Sequence, residues 1–201
     1  MEFLEIIKMI EKILIINICK EKLHYCEFVK PVEDIVVSLK LKYFTKHYKE
    51  LNKKDLEESD KIIICGTSLK DNEFLENINK FKWLMNFKKP VIGICGGMEI
   101  IGAVFGGKLK KKTEESKGFL KKKTEIGFYK EAFKKKFLGF KEGEVYHLHN
   151  YYVEFDKRFE ILSSNKVVQA VKHKKKEIYG LLFHPEVRNK EIIKNFVRNI
   201  Y

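Results

Sequence analysis

The sequence predicts an α/β fold: an open, mostly parallel sheet flanked by helices, with extra antiparallel strands in the second half. Three observations predict it. Short apolar runs rich in Ile and Val recur through the first half, separated by stretches with helical spacing, as in parallel strands joined by crossovers. After Gly107 the pattern changes to closely spaced alternating strands. No internal repeat and no linker rich in Pro, Gly or Ser interrupts the 201 residues, so residues 1–201 read as one domain.

The elements follow in order. Residues 13–19 form a short, β-branched apolar run, a buried strand by pattern. Pro31 suits the first turn of a helix that carries Val32, Ile35, Val36 and Leu39 on one face. Residues 43–48 read as a second strand, and Asn52 as the cap of a short helix ending at Glu58. Residues 61–65 are another buried strand, ended by Gly66. Residues 73–87 show helical spacing at Phe74, Ile78, Phe81 and Leu84. Pro90 introduces the buried run 91–94, and 96–105 reads as a helix with Met98, Ile101 and Phe105 on one face.

Beyond Gly107, strands are expected at 107–113, 119–126, 144–149, 159–162, 167–171 and 178–183, with one short helix at 130–137. An amphipathic helix over 189–200 closes the domain through Ile192, Ile193, Phe196 and Ile200. Ahead of Met9, residues 1–8 read either as a short surface helix or as a segment preceding the true start; the helix is the favoured reading.

Composition narrows the function classes. At 44% hydrophobic the chain can build a core, and no run of about 18 uncharged apolar residues suggests a membrane span. The N-terminal stretch is broken by Glu2, Glu5, Lys8, Glu11 and Lys12, unlike a secretory signal. The net charge is +13, but of 41 basic residues only Arg158, Arg188 and Arg198 are arginine. The lysines are spread in short runs among 28 acids, which argues for a solvated surface and against nucleic acid as the partner. Cys19, Cys26, Cys65 and Cys95 contain no Cys-x-x-Cys pair, so no zinc ribbon or redox dithiol is expected. Free thiols in a reducing cytoplasm are the expectation.

One motif carries chemistry. Val91-Ile92-Gly93-Ile94-Cys95-Gly96-Gly97-Met98 is a buried strand running into a Gly-x-Cys-x-Gly turn and then a helix, the layout of a nucleophile elbow with Cys in place of Ser. The flanking glycines suit a sharply turned backbone in which a Cβ two positions to either side would clash. The turn sets Cys95 at a helix N-terminus, where partial positive charge favours thiolate. A buried structural cysteine in a glycine turn is the competing reading. A thiolate nucleophile wants an imidazole, and the imidazole an orienting carboxylate. The last strand supplies both in His184-Pro185-Glu186: residues two apart share a face of an extended chain, and Pro185 holds that chain extended. His24, His47 and His173 read as ordinary structural histidines.

Together, Gly93-Ile94-Cys95-Gly96-Gly97-Met98 and Gly180-Leu181-Leu182-Phe183-His184-Pro185-Glu186-Val187 resemble the class I glutamine amidotransferases, over nearly the whole chain. The resemblance implies a flavodoxin-like sheet and a catalytic triad of Cys95, His184 and Glu186. It also implies an oxyanion hole in which one N–H comes from Gly96 and the other from Gly66 or Thr67. Segment 147–153, His-Leu-His-Asn-Tyr-Tyr-Val, is similar to the family's strand and loop bordering the glutamine pocket. That makes His149, Asn150 and Tyr151 candidate substrate-binding residues; for His149 a purely structural role is an equal reading. Glu99 joins them, four residues after the nucleophile, where the family commonly has Gln.

The departures matter. Glu99 is a feature of the related γ-glutamyl hydrolases. Leu182 stands where a Gln is common. The Asp of the Ser-His-x-Asp loop of GMP synthetase glutaminases is missing, since Asn150 and Tyr151 follow His149. His-x-Tyr-Tyr-Val is closer to the glutaminase of imidazole glycerol phosphate synthase, whose other motifs are not evident, so no subfamily is assigned. The implied activity is hydrolysis of L-glutamine through a cysteinyl thioester, with no metal, nucleotide or other cofactor, and transfer of ammonia to a separate synthase subunit for which 201 residues leave no room. A stand-alone γ-glutamyl hydrolase and a non-catalytic basic binding protein are the alternatives.

Overall fold

The computed structural model describes residues 11–111, 113–116, 119–122, 124–163 and 167–199. Residues 1–8, with their expected helix, and Ile200 lie outside the described residues. The chain starts with β1 (Lys12–Asn17), a one-turn α1 (Lys22–His24) and a π-helical turn over Tyr25–Val29 that leads directly into α2 (Lys30–Ser38). Pro31 sits in the first turn of α2, where its missing N–H costs nothing. Then come β2 (Lys42–His47), α3 (Lys53–Glu58), β3 (Lys61–Ile64), α4 (Glu73–Glu76), a 3₁₀ segment over Ile78–Met85, β4 (Val91–Ile94) and α5 (Gly96–Val104). Asn52 caps α3 in a reciprocal box: its side chain accepts from the Asp55 N–H, and Asp55 accepts from the Asn52 N–H, both at 3.1 Å.

The expected long helix over 73–87 is therefore two short pieces. The Asn77 side chain donates to the Glu73 carbonyl at 2.9 Å, competing with the helical ladder, and Asn77 itself leaves helical geometry. The 3₁₀ segment still buries Phe81 and Leu84, so the apolar spacing was right and the helix type was not.

The second half contains β5 (Lys108–Lys111), β6 (Thr113–Ser116), β7 (Phe119–Lys122), β8 (Glu125–Phe137), β9 (Phe140–His149), β10 (Tyr151–Glu154), β11 (Phe159–Ile161), β12 (Ala170–His173), β13 (Ile178–Leu181) and α6 (Lys190–Val197). The helix expected at 130–137 is a strand instead. Residues 130–132 stay in register with β9, Glu131 and Phe133 are buried as alternate residues of one strand face, and Lys134–Lys136 bulge outward before Phe137 pairs with Phe140. Good helix formers lose here to cross-strand pairing. The strand expected at 167–171 forms later, over Ala170–His173.

The central sheet has seven strands in the order β11-β12-β13-β4-β3-β1-β2. From β13 to β2 every pairing is parallel; β11 and β12 extend it antiparallel. β1 shows why both faces are covered. Ile13 and Ile15 face α2, α6 and the β8–β9 hairpin, which contributes Phe133, Phe137 and Phe140. Leu14 and Ile16 face α5 and the segment carrying Phe74, Phe81 and Leu84. A strand buried on both sides loses its alternation, which is why these runs read as continuous Ile. Among the described residues no helix is long and apolar enough to cross a membrane.

Candidate active site

Strands β3, β4 and β13 lie side by side with β4 in the middle, and all three run the same way. Just past their C-terminal ends stand Gly66, Cys95 and His184, at the edge where open α/β sheets hold their ligands. Residues far apart in sequence thus meet because their strands are neighbours.

Cys95 occupies the sharp turn between β4 and α5, with φ 47° and ψ −105°. A positive φ is unfavourable for a residue with a Cβ, and the surroundings hold it. Its N–H donates to the Leu181 carbonyl at 2.7 Å, tying the turn to β13. The glycines flanking it are packed solid: a Cβ on Gly97 would lie 2.4 Å from the Ile64 carbonyl oxygen, and one on Gly93 2.5 Å from the Gly97 carbonyl. As the residue preceding the first turn of α5, Cys95 sits among N–H groups without intrahelical acceptors.

The His184 Nδ1 lies 2.7 Å from Glu186 Oε1, and both side chains are only 1% exposed. With Nδ1–H donating to the carboxylate, Nε2 is left as a buried nitrogen without a hydrogen-bond partner. The His184 backbone N–H donates to the Tyr146 carbonyl at 2.8 Å, and the Phe28 ring lies 5.5 Å from the imidazole. Gly66 packs into the gap between the other two: a Cβ there would stand 2.7 Å from His184 Cε1 and 3.3 Å from Cys95 Cβ.

The electrostatics follow from burial and pairing. Burial pulls the imidazole of His184 down, but the Glu186 carboxylate and Cys95 outweigh it and hold His184 well above the usual histidine range. Burial pushes the Cys95 thiol up, and His184 offsets part of that rise. Negative charge on this sulfur is thus favoured only as half of an ion pair with the imidazolium. Burial also raises Cys19 to about 11 and Cys65 well above the ordinary thiol value.

A cleft opens beside Cys95. Thr67, Gly96, Glu99, His149, Asn150 and Tyr151 all line it with Cys95, whereas Gly66, His184 and Glu186 do not line it. Glu99, one turn along α5, is 5% exposed; burial lifts its carboxyl to about 8, against a smaller downward pull from His184. The loop after β3 is held by a hydrogen bond from Thr67 Oγ1 to Asp71 at 2.9 Å and by the Cys19 thiol, 3.8 Å from the Gly66 carbonyl.

The family model for class I glutamine amidotransferases matches residues 26–201. The chain belongs to this family. Among curated relatives, a glutamine-hydrolyzing GMP synthase subunit from Methanococcus vannielii is 33% identical over 162 residues, covering 74% of this chain and 80% of the relative. Its counterpart from Methanosphaera stadtmanae is 34% identical over 153 residues, covering 72% and 80%. Of solved structures, a candidate GMP synthase subunit from Thermoplasma acidophilum superposes with a TM-score of 0.79 at 21% identity, covering 94% of this chain and 93% of that one. A glutamine amidotransferase from Thermotoga maritima reaches 0.67 at 19% identity, covering 94% and 82%. These structures share the amidotransferase fold.

Some features of this amidotransferase site carried no sequence signal. The Leu148 carbonyl accepts from the Cys95 thiol at 3.5 Å, a contact set by the path of β9 rather than by any side chain. Tyr146 and Phe28 reach His184 from β9 and from the π-helical turn. His147, Glu125, Glu131 and Gln169, all buried, lie behind the cleft wall around His149. A His-x-His pair on a strand was the available signal, and only pairing with β8 gives it meaning.

Proposed function

We propose that this amidotransferase chain is the glutaminase half of a two-chain GMP synthase in the cytoplasm: it hydrolyses L-glutamine to glutamate and ammonia and hands the ammonia to a separate synthase subunit. The meeting of Cys95, in its strained turn, with the buried His184–Glu186 pair carries this reading. The relatives named as glutamine-hydrolyzing GMP synthase subunits support the acceptor class.

The geometry supports the following course. Cys95 Sγ attacks the side-chain amide carbon of glutamine while its proton passes to His184 Nε2. Negative charge develops on the amide oxygen, which the Gly96 N–H at the start of α5 receives. The Gly66 carbonyl faces the Cys19 thiol, and carbonyl and N–H point in opposite directions across a trans peptide, which favours Thr67 as the second donor. His184 then protonates the departing nitrogen, giving ammonia and a γ-glutamyl thioester. Water, deprotonated by the same imidazole, cleaves the thioester to glutamate and restores the thiol. Glu186 fixes the tautomer and stabilises the imidazolium throughout.

Glu99, carried as a neutral acid near pH 7, presents a hydroxyl donor and a carbonyl acceptor where the family commonly has the amide of Gln. A surface for the synthase lies next to the triad. Phe128 is 52% exposed, stacks beneath Arg188 at 5.0 Å and touches Tyr146, while Val187 is 47% exposed.

Glutamine hydrolysis by the purified chain, alone and with a synthase subunit, tests the proposal. A glutamine-like electrophile is expected to label Cys95 ahead of Cys19, Cys26 and Cys65, although Cys26 is the exposed thiol. Labelling that favours Cys26 would remove the nucleophile from Cys95. Glu99 also favours a γ-glutamyl hydrolase reading; faster release of glutamate from a γ-glutamyl peptide than from glutamine would establish that alternative.

A further inference from the structure

Behind the cleft wall, the first residue of β8 faces the last residue of β9. Glu125 pairs across the ladder with His149, and His147, two residues back along β9, projects from the same strand face. Glu125 Oε2 lies 3.1 Å from His147 Nδ1 and 3.3 Å from His149 Nε2. The candidate ligand atoms of all three residues lie within 4.8 Å of one another, and all three residues are buried. A tetrahedral zinc ion with ligand bonds of about 2.0–2.1 Å spaces its ligand atoms by about 3.3 Å, so two of the three edges already have the size of a coordination shell.

Two further observations fit an ion. Across the ring from Glu125, His147 Nε2 lies 3.4 Å from Glu131 Oε1. Imidazoles that bind metal through one nitrogen commonly have a carboxylate beside the other, which orients the ring. Gln169, 1% exposed, brings its amide to 3.3 Å from His149 Nε2, and its Oε1 is buried without a hydrogen-bond partner. Exchange of the amide oxygen and nitrogen, which have nearly the same shape, would turn that oxygen toward the same point.

We propose that Glu125, His147 and His149 form a binding site for a divalent transition-metal ion of the zinc type, with Gln169 Oε1 or a water at the fourth position. Two imidazoles and one carboxylate are a ligand set this class of ion accepts. The site is mechanically tied to the cleft. Leu148 lies between the two histidine ligands, its carbonyl is the group that meets the Cys95 thiol, and Asn150 and Tyr151 follow directly along the cleft wall. An ion bound to 147 and 149 fixes the main chain between them and with it the Leu148 carbonyl.

The test is zinc titration of the metal-stripped full chain against a competing chromophoric chelator, with cobalt(II) as a spectroscopic probe. One equivalent of zinc is expected to bind at sub-micromolar affinity. Cobalt is expected to give visible d–d bands without a thiolate charge-transfer band. Binding is expected to persist in Cys95→Ala and to weaken about 100-fold or more in both Glu125→Gln and His147→Gln. One equivalent of zinc is also expected to raise the melting temperature of the wild type and of neither variant. If Glu125→Gln fails to fold, His147→Gln, which keeps an amide hydrogen-bonding group, carries the comparison. Absence of stoichiometric binding, binding unchanged in the variants that fold, or binding lost in Cys95→Ala would overturn the site and leave a hydrogen-bonded network.

Discussion

The cleft has two walls of different construction. One is the end of the parallel sheet, where β3, β4 and β13 set Gly66, Cys95 and His184 against one another with almost no free space. The other is the β8–β9 hairpin and the start of β10, which set His149, Asn150 and Tyr151 against the same cleft from outside the main sheet, with the buried His147, Glu125 and Glu131 behind them. The sheet wall is positioned by backbone packing, so small changes there are costly. The hairpin is anchored to the sheet by Phe133, Phe137 and Phe140, and its end nearest the cleft carries polar contacts between buried side chains, which can be retuned with less effect on that packing. The first wall suits bond-making and the second suits adjustment.

Substitutions can break or sharpen this contrast. On the sheet wall, Cys95→Ala is expected to lower glutamine turnover at least about 1,000-fold while leaving the circular dichroism spectrum and melting temperature close to wild type. Residual turnover near wild type would move the nucleophile elsewhere. Glu186→Gln is expected to cost about 100-fold or more in kcat, because the amide no longer stabilises the imidazolium on Nδ1; steady-state kinetics read it directly. Gly97→Ala, also on this wall, is expected to act on stability rather than chemistry. Its Cβ would meet the Ile64 carbonyl at 2.4 Å, so denaturant unfolding is expected to show a loss of about 3 kcal/mol, the upper end of overpacking costs.

Between the walls, Glu99 gives a pH signature. Its folded value of about 8 lies above the ordinary 4.5, so the folded state holds a proton that the unfolded state has lost in between. The stability from the protonated carboxyl is complete below about pH 4.5 and is lost as pH rises toward about 8, after which the loss levels off. Glu99→Gln is expected to remove that slope, so its stability advantage over wild type grows from pH 5 to pH 8.5. It is also expected to extend the kcat/KM plateau for glutamine above about pH 8. Parallel pH profiles for the two proteins would sink the neutral-acid assignment.

The smallest expected effect concerns the outer surface near the hairpin. Phe128→Ser is expected to leave glutamine hydrolysis by the isolated chain unchanged and to reduce its stimulation by the synthase subunit several-fold. Equal stimulation would place the partner on another face.

The same contrast explains what could be read in the sequence. The parallel strands show as Ile-rich runs because both faces are buried, and the elbow shows because the close approach of Ile64 and Gly97 tolerates no Cβ. Cys95, His184 and Glu186 are therefore legible as a set. The hairpin wall is not. Lys130, Glu131 and Ala132 are good helix formers and became strand through register with β9, a relation no local window contains. Asn77 hid in the same way: its side-chain bond to Glu73 splits a run whose apolar spacing is helical throughout. The contacts of Leu148 with Cys95 and of Tyr146 and Phe28 with His184 come from chain path and left no motif at all.

The positive φ at Cys95 has a consequence for the history of such a chain. Glycine is the residue that accepts this backbone conformation freely, and there it would avoid a conformational strain of about 1–3 kcal/mol. Selection for folding alone therefore pulls this position toward glycine; with Cys95 as the proposed nucleophile, selection for activity holds a side chain there against that pull. A copy of this chain released from its enzymatic duty would lose its thiol early, and it would do so while retaining the fold.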